Sequence, residues 1–223
     1  MSYKRVLGYS TKMKMTEAQH PGTVFRNFSI LAQPGVCRFC NFCQSCYTRS
    51  GRMSLDQAQQ AYQENLEMVR DGTVWGRLDE ELEVLERRAR KNGAQVRIRV
   101  HDSGDYFSRA YLKDWLETAE AHPETTFYSY TKAVGWVKQA QDRGEVPDNY
   151  RFVFSMGTTQ ELLIDPTDRV AAIFGAERAV PPGWLDGSHD DFWASEPTGS
   201  IFLRYHGPKS KAFEALPSWL VVA

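Results

Sequence analysis

The chain has 223 residues, is 42 % apolar and carries 27 Lys and Arg against 28 Asp and Glu, a net charge of −1. That suits a single domain over residues 1–223 with a substantial core, and its dispersed basic residues argue against a polyanion surface, so charge gives no support for nucleic-acid binding. The N-terminus lacks the apolar stretch of a secretory signal, and no run approaches the ~18 apolar residues needed to span a bilayer; a protein of the reducing cytoplasm, with no membrane partner, is expected.

In chain order, residues 1–22 show no periodicity and read as an irregular lead-in. Val24 to Leu31 alternates well enough for a strand, which runs through Pro34-Gly35 into a loop holding all four cysteines: Cys37, Cys40, Cys43 and Cys46. A disulfide framework would spread its cysteines along the chain to close loops, so this crowding points to a metal. On a helix, steps of three residues rotate by about 300° each and would put Cys37 and Cys46 on opposite faces, so the segment must wrap around what it binds. Structural zinc sites usually join two distant Cys pairs, whereas a compact C-x2-C-x2-C run suits an iron–sulfur cube; zinc and a metal-free redox thiol group remain the alternatives. With four local thiolates every iron of a [4Fe-4S] cluster is filled, and the cluster transfers electrons or stabilises the fold. With three, one iron stays open.

Ser54 and Gln57 are spaced as a capping box, predicting a helix through Ala58, Ala61, Leu66 and Val69 that stops near Gly72. Leu78, Leu82, Leu85 and Ala89 predict a second helix ending at Asn92-Gly93. The next strand, Gln95 to His101, sets Val96, Ile98 and Val100 on one face and Arg97, Arg99 and His101 on the other. Three titratable side chains on one face imply a wet or functional interior, as in an open or partial barrel; an edge strand with one solvated side is the alternative. Ser108 is placed to cap a helix through Leu112, Trp115, Leu116 and Ala119 that ends at His122-Pro123. Strands are expected at Thr126–Thr131, Tyr150–Met156, Arg169–Phe174 and Ser200–Tyr205, with a helix at Ala133–Arg143 closed by Gly144. The region near 177–199, aperiodic from Pro181 to Gly199, reads as a long irregular segment. In it, His189-Asp190-Asp191 reads as a lid hinge or exposed turn, or alternatively as a ligand cluster.

This alternation argues for an α/β fold, a partial or closed (β/α) barrel of parallel strands with outer helices, whose ligands gather at the carboxyl ends of the strands. The cysteine loop, His101 to Asp105, Lys132, Gly157 to Thr159 and His206 share that address.

The loop closing in Cys46-Tyr47, the segment His101-Asp-Ser-Gly-Asp105-Tyr-Phe-Ser108 and Phe127-Tyr-Ser-Tyr-Thr-Lys132 together resemble the phage gene product eighty-eight family, proteins of phages and mobile elements that are themselves similar to radical S-adenosylmethionine (SAM) enzymes. The resemblance runs from about Phe25 to Thr158 and implies a partial (β/α) barrel with a [4Fe-4S] cluster after the first strand. In radical SAM enzymes a Gly-Gly-Glu-like stretch after the second strand holds the amino group of SAM; Ser103, Gly104 and Asp105 stand in its place as candidate cofactor-binding residues. The spacing departs from the usual C-x3-C-x2-C of those enzymes and offers a fourth thiolate, which favours ligation by all four cysteines. Phe39 and Phe42 would then dry the cluster, and electron transfer, redox sensing or binding of a redox or host protein partner would be its role. If Cys40, Cys43 and Cys46 alone are ligands, an open iron takes SAM, and Arg97, Arg99, His101 and Lys132 become candidate substrate contacts. A third reading, a hydrolase or zinc enzyme on His101, Asp102 and Asp105, is weaker than a strand-to-helix turn with Asp as local cap.

Overall fold

The computed structural model describes residues 5–41, 46, 48, 51–174 and 178–204. Seven strands form one sheet: β1 (Thr23–Phe28), β2 (Gln95–Val100), β3 (Thr126–Thr131), β4 (Tyr150–Ser155), β5 (Val170–Phe174), β6 (Trp184–Asp186) and β7 (Ser200–Arg204). Their order is β1-β2-β3-β4-β5-β7-β6 and every neighbouring pair is parallel, an α/β half-barrel. The helices are α1 (Thr11–Gln19), α2 (Asp56–Asp71), α3 (Val74–Lys91), α4 (Arg109–Ala121), α5 (Val134–Asp142) and α6 (Phe192–Ser195). Among the described residues, no helix is long and apolar enough to cross a membrane.

The outer core follows from the helical spacing. Val74, Leu78, Leu82 and Ala89 of α3, and Leu112, Trp115, Leu116 and Ala119 of α4, are buried with Val96, Ile98 and Val100 of β2 and Phe127 of β3. Each large side chain removed from water in this way contributes about 1.5–3 kcal/mol. Ser108 caps α4 as its position implies, accepting a hydrogen bond from the Tyr111 amide at 3.1 Å. Beyond the end of α4, buried His122 ties two helices together: Nε2 lies 2.9 Å from Asp79 and Nδ1 3.2 Å from Glu86, both on α3. His122→Leu leaves Glu86 held by the Thr125 hydroxyl alone. We expect a loss of about 1–3 kcal/mol, read as a lower urea midpoint at unchanged slope.

A second, inner core covers the opposite face of the sheet. Phe25, Tyr128, Val153, Ala171 and Ile201 pack there with Met13 of α1 and Ala194 of α6. Both helices correct the sequence reading. The lead-in is not irregular throughout, because α1 forms behind a Ser10 cap and packs on the sheet through Met13, with Thr16 buried beside it. Nor is Pro181–Gly199 a structureless stretch, since it contributes β6 at the sheet edge and α6. The capping box at Ser54 does not form. Ser54 closes a single 3-10 turn, Gly51–Ser54, by donating to the Gly51 carbonyl, and α2 starts one residue beyond Leu55 with no side-chain cap. Gly72 ends α2 as expected, at φ +80. Strand β2 lies between β1 and β3, which removes the edge-strand alternative for Arg97 and Arg99.

Candidate functional site

The carboxyl ends of β1 to β4 are bound together by the loops that leave them. After β1 the chain turns at Gln33–Cys37, where the Val36 and Cys37 amides both donate to the Gln33 carbonyl at 3.0 Å, and the Cys40 amide donates to the Cys37 carbonyl at 3.2 Å. The loop then crosses the rim and pairs antiparallel with the loop after β4. The Asn41 amide donates to the Gly157 carbonyl at 3.0 Å, and the Thr159 amide to the Phe39 carbonyl at 2.8 Å, with Cys40 opposite Thr158. Val36 is fully buried, and half-buried Phe39 meets Trp136 of α5 edge-on at 4.9 Å between centroids. Cys37, Cys40 and Cys46 are each half-buried, and Cys46 Sγ lies 3.0 Å from the Thr48 hydroxyl. Phe42, Cys43 and His206 lie outside the described residues. Among the described residues, no group of three His, Cys, Asp or Glu side chains stands ready for a metal ion.

The turn after β2 meets the same rim. Asp105 is buried and its carboxylate accepts three hydrogen bonds from the chain itself: from the Tyr106 amide at 2.8 Å, the Thr131 hydroxyl at 2.6 Å and the Lys132 amide at 2.9 Å. Burial pushes its carboxyl up, against the opposing pull of those donors and of the Lys132 charge. Asp105 thus pins the β2 turn to the end of β3. The Ser103 carbonyl receives the Ile30 amide at 3.0 Å, while the Ser103 hydroxyl is buried without a hydrogen-bond partner among the described residues. Gly104, at φ +90, lies against Ile30. Lys132 continues the link: its carbonyl accepts from the Thr158 hydroxyl at 2.8 Å, and its ammonium donates to Ser155 at 2.6 Å. The structure therefore brings together the cysteine turn, Asp105, Lys132 and Gly157–Thr159.

It separates the remaining candidates. His101 leaves the face that Arg97 and Arg99 share, because it turns at φ +69. Its ring lies 4.8 Å from that of Tyr106 and its Nε2 2.9 Å from the Tyr111 hydroxyl, within the outer core. Burial, with Arg99 adding to it, lowers its pKa to about 3, so the imidazole is neutral. Arg97 and Arg99 do face the inner side, but α6 engages both. Arg97 pairs with Glu196 at 2.7 Å and stacks over Phe192, and Arg99 pairs with Asp191 at 2.8 Å and with Asp102 at 3.2 Å. Asp191 is fully buried and also meets Lys12 of α1 at 2.6 Å. Burial alone would push its carboxyl up, but Arg99 and Lys12 override it and hold it at about 2. Asp190 pairs with His20 at 2.7 Å. Of His189-Asp190-Asp191, His189 is exposed, as an exposed turn implies, but the two aspartates are buried and their carboxylates fasten α6 to α1 and the sheet.

The donors present fit an iron–sulfur cluster in kind. A tightly turned loop carries half-buried thiols at the rim, backed by apolar Val36 and Phe39. Sequence reasoning missed Ser155, Lys12 and Thr131, each of which has its role only through a partner distant in the chain. No curated protein and no solved structure matches the chain significantly. The family model for gene product 88 matches residues 4–213, and the chain belongs to that family.

Proposed function

We propose that the protein binds a [4Fe-4S] cluster through Cys37, Cys40, Cys43 and Cys46, on a half-barrel related to the radical SAM core, and acts in electron transfer, redox sensing or partner binding. The observation that carries the reading is the fastening of the cysteine loop across the carboxyl rim, by the paired backbone bonds between Phe39–Asn41 and Gly157–Thr159. The described part of the loop, Cys37 to Asn41, is held on the rim by these bonds, which lowers the ordering cost of ligation by Cys37 and Cys40. The cluster would supply one-electron chemistry; Val36 and Phe39 would limit its access to water. Anaerobically purified protein should contain iron and acid-labile sulfide and absorb broadly near 400 nm. Cys37→Ala and Cys46→Ala should each lose most of the iron, to the same extent. Colourless protein carrying zinc would overturn the reading.

One observation favours a second reading, SAM on an iron left open by Cys40, Cys43 and Cys46. The Ser103 hydroxyl, buried and without a hydrogen-bond partner among the described residues, sits in the turn that would receive the amino group of SAM. Asp105, its neighbour there, already accepts three hydrogen bonds, which weighs on the other side. Full iron retention in Cys37→Ala, together with 5′-deoxyadenosine from reduced protein and SAM, would select the second reading.

A further inference from the structure

We infer that Lys132 and Ser155 form a binding site for an anionic group, a carboxylate or a phosphate, at the mouth of the half-barrel. The parallel register that sets Thr131 opposite Phe154 carries the next residues, Lys132 and Ser155, side by side off the ends of β3 and β4. Both are half-buried, and the ammonium donates to the Ser155 oxygen at 2.6 Å. An ammonium has three donors, so two remain, and the Ser155 hydroxyl keeps its own proton to give. Among the described residues no carboxylate lies within ion-pair distance of Lys132. Asp105, whose carboxyl feels the Lys132 charge, directs its oxygens to the Thr131 hydroxyl and to two amides instead.

The position adds a second reason. Lys132 immediately precedes Ala133, the N-cap of the nine-residue α5. The N-terminus of a helix is its positive end, where a cation is unfavourable and an anion favourable. Among the described residues no carboxylate contacts the half-buried ammonium, and the Asp105 charge acts on it only from beyond ion-pair distance, so a bound anion would complete its pairing. The site also lies at the carboxyl ends of central parallel strands, where this class of fold collects ligands. Its walls are fixed, since Asp105 holds the Lys132 amide and Thr158 holds its carbonyl. The inference goes beyond the metal reading and does not depend on it.

The test is thermal unfolding of the full chain in inorganic phosphate and in succinate, against sodium chloride of matched ionic strength. At ten times its dissociation constant a bound anion should raise Tm by roughly 3–5 °C. Lys132→Met should abolish the rise, and Ser155→Ala should weaken the anion's affinity by about tenfold. Whichever of the two anions binds more tightly identifies phosphate or carboxylate as the group. Should Lys132→Met fold poorly, reductive 13C-methylation of the wild-type lysines gives an independent measure, because the Lys132 resonance should move on titration with the anion. No rise above the chloride control with either anion, or a rise that persists in Lys132→Met, overturns the site. Iron and sulfide content of the same preparations decides the metal reading separately, so the two can fail one at a time.

Discussion

Asp191→Asn is expected to destabilise the protein by about 3–5 kcal/mol, the range for removing one partner from a buried ion pair. The carboxylate is fully buried and stands between two cations from different parts of the chain, Lys12 at 2.6 Å and Arg99 at 2.8 Å. It also receives the Tyr128 hydroxyl at 3.3 Å, and its own amide donates to Thr16 of α1 at 3.0 Å. Asparagine keeps the shape and one acceptor but removes the charge, leaving Arg99 with the more exposed Asp102 and Lys12 with a backbone carbonyl. Glu196→Gln is the contrasting case, for its carboxylate is a third exposed and should lose no more than about 1 kcal/mol. Urea unfolding of both variants measures the difference. The pH dependence has a definite sign. Because the folded-state pKa, about 2, lies below the usual carboxylate value, the contribution is fully present above pH ~5 and is lost as pH falls from ~4 toward ~2. Asp191→Asn should therefore flatten the acid limb of the stability profile by about 2–3 kcal/mol. An acid limb as steep as wild type would show that Asp191 does not bear this charge.

The elements that sequence made legible are those whose partners are local or whose period is strict. Leu78, Leu82 and Ala89 line one side of α3, and the alternation of β2 correctly separates Val96, Ile98 and Val100 from Arg97 and Arg99. The strand–helix rhythm likewise led to a parallel sheet. What stayed hidden depends on contacts across the fold. Helix α1 buries only Met13 and Thr16, and its charged tie, Lys12 to Asp191, spans most of the chain, so no local stripe announces it. Helix α6 has four residues, too few for a period. Ser54 offered a capping oxygen, but it stands in a 3-10 turn with its hydroxyl donating to the Gly51 carbonyl, and Leu55 became the N-cap of α2. His101 continued the inner-face alternation on paper, but its left-handed backbone ended it, a conformation that favours Gly, Asn or Asp and is not readable from histidine. Of the candidate site, the cysteine loop, Asp105 and Lys132 were legible as a shared address because they follow strands; Ser155 was not, because only the register of β3 on β4 makes it a partner.

Gly104→Ala should cost about 2–5 kcal/mol, although it adds a single methyl group. Gly104 sits at φ +90, where an L side chain is strained by about 1–2 kcal/mol. Its missing Cβ would also fall 2.4 Å from Ile30 Cγ1 and 3.0 Å from the Ile30 carbonyl oxygen. That carbonyl is backbone and its residue is anchored to the same turn, since the Ile30 amide donates to the Ser103 carbonyl, so the turn cannot yield without breaking the bond. Overpacking of this kind costs a further 1–3 kcal/mol or so. Gly144→Ala separates the two terms: it shares a positive φ, +66, but nothing lies within 4 Å of its Cβ position, and only the conformational part should appear. The steric part should show coupling, with Gly104→Ala costing less in an Ile30→Ala background than in wild type. Equal costs in both backgrounds would mean that Ile30 does not set the limit. Because this turn fastens β1 to β2 immediately before Asp105 reaches Lys132, its loosening should also weaken the response of Tm to phosphate or succinate. A stability loss without that second effect would separate the turn from the anion site.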